Sequence, residues 1–130
     1  MAEELAAILP QEFGLQMIGV VHAGVPNHER VVLRANYPLD LSAYFLVLGW
    51  RITDDRAWPL NADSFWFGKT TVAAGHWVLV YTGVGQQTFT TLGEDPCLVL
   101  YWNKPTIVFG QTEIVPILIH ADSVAIGKRI

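Results

Sequence analysis

The amino-acid sequence predicts an all-β domain, an antiparallel β-sandwich of about eight strands. Three observations support this prediction. After residue 14, the residues Val, Ile, Thr, Phe, Tyr and Trp gather in short runs that Gly, Pro, Asn and Asp separate. No segment between these runs has the pattern of the crossover helix that joins parallel strands. The chain has 130 residues, enough for one domain with one hydrophobic core.

A short helix is predicted before the first strand. Leu5, Ile8 and Leu9 follow the i, i+3, i+4 spacing of one helical face, and two glutamates lie in the first turn, where the helix dipole favours them. Pro10 ends this pattern because proline cannot continue a helix. The predicted organisation is a helical segment over residues 1–14 and a β-domain over residues 15–130.

The strands and turns are predicted in order along the chain. The predicted strands are residues 15–22, 30–35, 50–53, 64–67, 77–81, 98–102, 113–119 and 123–128. The stretches between them that carry turn residues are "AGVPNHE", "NYPLD", "AAGH", "TGVGQQ" and "GEDP", and "TGVGQQ" is predicted to be a hairpin loop. Pro116 cannot donate a hydrogen bond within a sheet, so its strand is predicted to lie at an edge or to carry a bulge.

Composition and charge limit the classes of function. Hydrophobic residues make up 52% of the chain, more than a soluble domain usually contains, so some apolar surface is expected to stay exposed. The net charge is -4, and the 8 Lys and Arg residues are scattered along the sequence. A nucleic-acid binder needs a basic stripe to displace phosphate counterions, so DNA or RNA is not expected as a partner.

Signals for cross-linking and targeting are few. Cys97 is the only cysteine, so neither a disulfide within the chain nor a Cys-x-x-Cys metal site is expected. The opening stretch "MAEELAAILPQEFG" lacks the basic start and the unbroken apolar run of a signal peptide. No run of about 18 apolar residues occurs, so no membrane span is expected.

No catalytic residue, metal site or cofactor is predicted. The histidines lack metal-ligand spacing, although His22 and His120 end predicted strands and would meet if the fold brought those ends together. Most acids lie in predicted turns, where Asp bonds to its own backbone. The serines lack the Gly-x-Ser-x-Gly context of a nucleophile, and "TGVGQQT" lacks the Lys and the helix of a phosphate loop.

Aromatic residues are the main candidates for a binding surface. Trp50 and Trp77 lie in strand patterns and are predicted to fill the core. Trp58, in the loop-like "AWPLN", and Trp66, which alternates with two phenylalanines, are predicted to lie at the surface. Rings in such positions stack on sugar rings or on the side chains of a partner.

A set of stretches occurs in a recognisable order: "GVVHAGVPNHERVVLRANYPLDL", "GWRITDD", "SFWFGKTTVAAGHWVLVYTGVG", "LYWNK" and "VPILIHADSVAIGKRI". Together they resemble the lamin tail domain family over residues 18–130. The positions that match the family pattern are Val31, Leu33, Gly49, Trp50, Ile52, Asp54, Phe65, Phe67, Val72, Gly75, Val78, Trp102, Val124, Ala125 and Lys128. Ala35 stands where the family has Asn, and Asn36 follows one residue late.

The resemblance implies an immunoglobulin-like β-sandwich without catalytic machinery, used as an interaction or scaffolding module. The sequence departs from the family in three respects. It shows no heptad pattern for a filament-forming rod, and it lacks the basic surface through which some members contact DNA. In the last hairpin "HADS" replaces the family's usual Gly, so Asp122 is expected to make the turn.

The apolar run over residues 43–50 leaves two registers open. In the preferred register Trp50 takes the family's core Trp position and "AYFLVL" is an insertion or a lengthened strand. Tyr44, Phe45 and Leu46 are then specific to this protein and become candidates for a contact surface. In the alternative register "LSAY" makes the family's turn, and Tyr44 takes the Trp position.

The leading hypothesis is a non-catalytic interaction or scaffolding module that binds a protein partner or a second copy of itself. The alternative is a small β-sandwich that binds a carbohydrate or another ligand through Trp58 and Trp66. An enzyme is the third hypothesis, and it requires a cleft in which His and acidic side chains from different strands meet.

Overall fold

A computed structural model gives the structure of residues 14–130, and this part of the chain is mostly β. The strands are β1 Leu15–Val21, β2 Arg30–Ala35, β3 Leu39–Asp40, β4 Tyr44–Thr53, β5 Arg56–Pro59, β6 Phe65–Trp66, β7 Thr71–Val72, β8 Trp77–Tyr81, β9 Thr88–Leu92, β10 Asp95–Tyr101 and β11 Ile114–His120. A 3-10 turn, Leu41–Ala43, precedes β4. The predicted helix before the first strand lies outside the described residues.

The strands form two larger sheets and one small ribbon. The first sheet has the order β1-β2-β8-β10-β9. In the second sheet β4 lies between β11 and β5, and it also pairs with β6. Strands β3 and β7 form the ribbon. Every pairing is antiparallel except that of β8 with β10, which is parallel.

The parallel pair corrects two predictions, a wholly antiparallel arrangement and a hairpin loop at "TGVGQQ". Strands β8 and β9 do not pair, because β10 lies between them. The chain leaves β8, forms β9 at the edge of the sheet, and returns through a hairpin at Gly93, whose φ of 66° suits glycine. Turn residues indicate that the chain bends but not which flanking strands become neighbours.

One hydrophobic core contains residues of both larger sheets. The first sheet contributes Leu15, Val31, Leu33, Ala35, Val78, Val80, Leu98 and Leu100, and the second contributes Tyr44, Leu46 and Leu48. A smaller cluster around Leu79, Cys97 and Val99 lies apart from this core and includes the half-buried Trp77. Burial raises the pKa of the Cys97 thiol. Burial of each large aliphatic side chain stabilises the fold by about 1.5 to 3 kcal/mol.

The apolar run over residues 43–50 belongs mainly to the ten-residue strand β4. Tyr44, Leu46 and Leu48 alternate along its first half and are buried. Trp50 is 39% exposed, because the last four residues of β4 extend beyond the core. The prediction that Trp50 fills the core is therefore wrong, and the buried ring of this strand is Tyr44.

Other elements differ from the sequence prediction at the sheet edges. Pro116 lies on β11, an edge strand of the second sheet, as predicted. The predicted strand over residues 123–128 does not form, and residues 122–130 are all exposed. The stretch "AWPLN" is not purely a loop, because Trp58 lies on β5. The short strands β3, β5, β7 and β9 were not predicted.

One buried carboxylate, that of Glu29, joins three parts of the chain. The residue is 1% exposed. One of its oxygens accepts hydrogen bonds from the backbone N–H groups of Gly24 and Phe109, at 2.9 and 3.1 Å. The other accepts from the N–H of Val108 and from the hydroxyl of Thr82. Burial alone would raise the pKa of Glu29, but these four bonds outweigh it and hold the pKa below the ordinary value of 4.5.

We expect Glu29→Gln to lower the free energy of unfolding by about 2 to 4 kcal/mol at neutral pH, because an amide nitrogen would face backbone donors. Since the folded pKa is lowered, the wild-type contribution is present above pH 4.5 and is lost as the pH falls below it. Urea unfolding at about pH 7 and about pH 3.5 measures the difference between the two proteins, which should narrow in acid. Glu94→Gln, at an exposed turn, is the control. An equal loss at both pH values would contradict this account of Glu29.

Because Tyr44 is buried and Trp50 is partly exposed, alanine substitutions at these two positions of β4 should differ in their effect on stability. Tyr44→Ala should lower the free energy of unfolding by about 3 to 5 kcal/mol, because it opens a cavity beside Phe67 and His120. Trp50→Ala should cost about 1 kcal/mol, because this ring is partly in solvent. Chemical denaturation of both variants measures the two losses. A larger loss for Trp50 than for Tyr44 would contradict the placement of β4.

Candidate functional site

A groove lies between β1 and β11 on the described surface. Its volume is about 1200 Å³. Strand β1 is the last strand of the first sheet, and β11 is the last strand of the second. The groove therefore lies on the side of the core where the two sheets end and no described strand joins them.

The floor of the groove is apolar. Leu15 and Phe109 are buried there, while Met17, Ile114 and Leu118 are half-buried and pack against the main core. Core side chains that reach solvent along a strand edge lose part of the stabilisation that full burial would give. An apolar segment laid in the groove would complete this burial.

The backbone of β11 offers few donors to the groove. The bonds from Arg51 N–H to Glu113 O and from Ala121 N–H to Ala43 O show that odd-numbered residues of β11 face β4. Even-numbered residues therefore direct their backbone groups toward the groove. Pro116 is one of these residues, and it has no N–H to donate.

The backbone of β1 faces the groove from the other side. The bond from Asn36 N–H to Gly14 O shows that the backbone groups of residue 14 face β2. Since this orientation alternates along a strand, the backbone groups of Met17 point away from β2. A bulge between Met17 and Gly19 turns Ile18 outward, and its side chain is 54% exposed. The groove-facing edge of β1 thus includes the N–H of Met17, whereas the corresponding edge of β11 includes Pro116, which has none.

Charged side chains gather at one end of the groove, on the turn that joins β4 to β5. Asp54 and Asp55 lie there with Arg51 and Arg56. The guanidinium of Arg51 is 3.8 Å from the carboxylate of Asp54, and both side chains are exposed. Phe109 also lines the groove; it lies in the loop before β11, and its backbone N–H donates to the carboxylate of Glu29.

The structure separates the five predicted contact residues. Tyr44 and Leu46 are buried at 3% and 0% exposure, so neither forms a contact surface, and Phe45 is half-buried. Trp58 is 67% exposed and lies opposite Trp50 across β4 and β5. Trp66 is 46% exposed and lies opposite Phe45.

Trp58 and Trp66 do not form one platform. The positions of β4 opposite them, residues 45 and 50, are five residues apart, which is roughly 16 Å along a strand. The indole N–H of Trp66 donates to the backbone oxygen of Ser42 at 2.7 Å, which fixes this ring. The cross-strand neighbour of Trp58 is Trp50, so these two rings lie next to each other.

The histidines have different neighbours. The ring of His22 contacts that of His28 at 6.2 Å between centroids, and His120 stacks on Tyr44 at 4.5 Å. Residues 14–130 contain no group of three or more His, Cys, Asp or Glu side chains with metal-binding geometry. In the same range no helix has the length and apolar character needed to cross a bilayer.

Comparisons with family models, curated proteins and solved structures found no match for this chain. The sequence contained one signal for the groove, the edge-strand proline at position 116. It contained no signal that β1 would lie across from β11, because that depends on how the two sheets pack.

The wall of the groove formed by β11 is held on β4 by a close contact at Gly49. A Cβ atom at this position would lie 2.4 Å from Cδ1 of Ile117 and 3.1 Å from the backbone oxygen of Trp58. Only glycine leaves room for Ile117 to pack flat on β4. This close approach adds to the pairing of β11 with β4 along the wall of the groove.

Gly49→Ala should therefore lower the free energy of unfolding by about 1 to 3 kcal/mol through overpacking. Adding Ile117→Val removes the atom at 2.4 Å and should restore part of the loss. Gly83→Ala, where the nearest atom is at 3.4 Å, is the control and should change little. Thermal or urea unfolding measures these proteins together with Ile117→Val alone, and purely additive effects of the two changes would contradict the contact.

Proposed function

We propose that this protein is a non-catalytic interaction module that binds an extended segment of a protein partner in the groove between β1 and β11. One observation carries the proposal. The groove joins a half-buried apolar floor to an edge strand, β1, that has no second strand partner among residues 14–130.

Strand addition explains how such a groove binds. An extended segment gains backbone hydrogen bonds from an exposed sheet edge, while its alternate side chains enter pockets beside that edge. Here β1 supplies the hydrogen bonds, and the half-buried Met17 and Leu118 supply apolar contacts. Because Pro116 has no N–H to donate, the β11 edge contributes few backbone hydrogen bonds, and β11 mainly contributes apolar side-chain contacts.

The resemblance to the lamin tail domain family supports the same class of function. Two sheets that share one core suit the immunoglobulin-like β-sandwich that this family implies. The buried Tyr44 and the exposed Trp50 favour the alternative register, in which Tyr44 takes the family's Trp position. In that register, the interaction surface is the groove rather than the run over residues 44–46.

Selection of ten-residue peptides from a displayed random library on the immobilised protein tests the proposal. Peptides with apolar residues at every second position should be enriched, because that spacing places them all on one side of a strand. Ile18→Asp, at the rim of the groove, should abolish this enrichment. Val84→Asp is the matched control, since Val84 is 75% exposed and lies outside the groove.

Two results would contradict the proposal. One is enrichment without alternating apolar residues. The other is equal enrichment on the wild type and on Ile18→Asp. Circular dichroism of each variant establishes that a loss of binding does not arise from unfolding.

A second candidate function is binding of a carbohydrate, favoured by the adjacent exposed rings of Trp50 and Trp58. Exposed indoles stack on the apolar faces of sugar rings. Trp66 belongs to a separate location and would not contribute to the same subsite. A glycan array probed with the wild type and with Trp58→Ala tests it, and the absence of any Trp58-dependent signal would exclude this function.

A further inference from the structure

We propose that the segment that occupies the groove is residues 123–130 of a second copy of this chain. The inference rests on the proposed function, because it names the partner for the same groove. It predicts a self-association in which each copy lends one segment and receives another.

The segment has the side-chain pattern of a strand but no strand partner among residues 14–130. Residues 122–130 are all exposed and have neither helix nor strand structure. Val124 and Ile126 are 81% and 91% exposed, and they alternate with the small residues Ala125 and Gly127. Apolar side chains at every second position favour a strand that buries one face. In the described structure that face is in solvent.

The chain directs this segment away from its own groove. Ala121 N–H donates to Ala43 O at 2.8 Å, which continues the pairing of β11 with β4 one residue beyond β11. The segment therefore leaves past the end of the sheet. Folding back into its own groove would require the chain to reverse directly after β11, and the exposure of residues 122–130 shows that the described chain does not do so. A neighbouring copy presents the same groove without this turn.

The segment fits the groove in length. Strand β1 has 7 residues, and residues 123–130 extend over a similar distance, roughly 25 Å. Val124 and Ile126 would lie over the half-buried floor, and the small residues between them would face outward.

Tyr44 lies near Leu15 at one end of the groove, and the β4–β5 turn lies at the other. A segment parallel to β1 would begin at the Tyr44 end and place Lys128 and Arg129 beside the β4–β5 turn. That turn carries Asp54 and Asp55 with Arg51 and Arg56, so it is neutral overall.

Size-exclusion chromatography with light scattering tests the self-association. The wild type at micromolar concentration should have twice the monomer mass of 14.4 kDa, because reciprocal exchange closes a dimer. The double variant Val124→Asp/Ile126→Asp should be a monomer, with a dissociation constant raised by at least about 100-fold. Val84→Asp is the control and should keep the wild-type mass.

Complementation tests the roles of segment and groove. Ile18→Asp alone should be a monomer, since its groove no longer binds. Mixed with the double variant, it should form a heterodimer, because one copy still offers a segment and the other a groove. A double variant that keeps the wild-type mass, a monomeric wild type, or a mixture without heterodimer would overturn the inference.

A labelled peptide of residues 121–130 separates this inference from the proposed function. Fluorescence polarisation should show that it binds the double variant, while a peptide of scrambled order does not. If the double variant binds library-selected peptides but not this one, the inference fails and the proposed function stands. If it binds neither, both fail.

Discussion

The buried carboxylate of Glu29 is the interaction on which the arrangement of loops depends. It takes two hydrogen bonds on each oxygen, from the β1–β2 turn, from the end of β8, and from the loop before β11. Four donors stabilise a charge that would otherwise be costly to bury. One of these bonds holds Phe109, which lines the groove, so Glu29 positions part of the groove without lining it.

The groove itself follows from the way the two sheets end. Both sheets cover one core, but on one side the edge strands β1 and β11 stand apart. Edge strands invite pairing with other chains, and proteins blunt them with proline, bulges or charge. Here Pro116 blunts β11 and a bulge interrupts β1. The remaining template is restricted, which favours a specific segment over indiscriminate aggregation.

The sequence predicted features that depend on neighbours along the chain. Runs of β-forming residues gave the positions of β1, β2 and β8, and Pro116 indicated an edge strand. It did not predict the parallel pairing of β8 with β10, nor the contact of Glu29 with Phe109, because these join residues distant in the chain. The sequence placed Trp50 in the core because it lies in a strand pattern. How far the core extends along β4 depends on sheet packing, and the last four residues of β4 lie beyond it.

The proposed dimer depends on occupation of the groove by residues 123–130 of another copy. Isotope-filtered NMR on a mixture of ¹³C-labelled and unlabelled protein measures contacts between copies alone. We expect intermolecular contacts from the side chains of Met17 and Leu118 to those of Val124 and Ile126. Contacts between these residues within one chain only, or intermolecular contacts that leave the groove untouched, would contradict it.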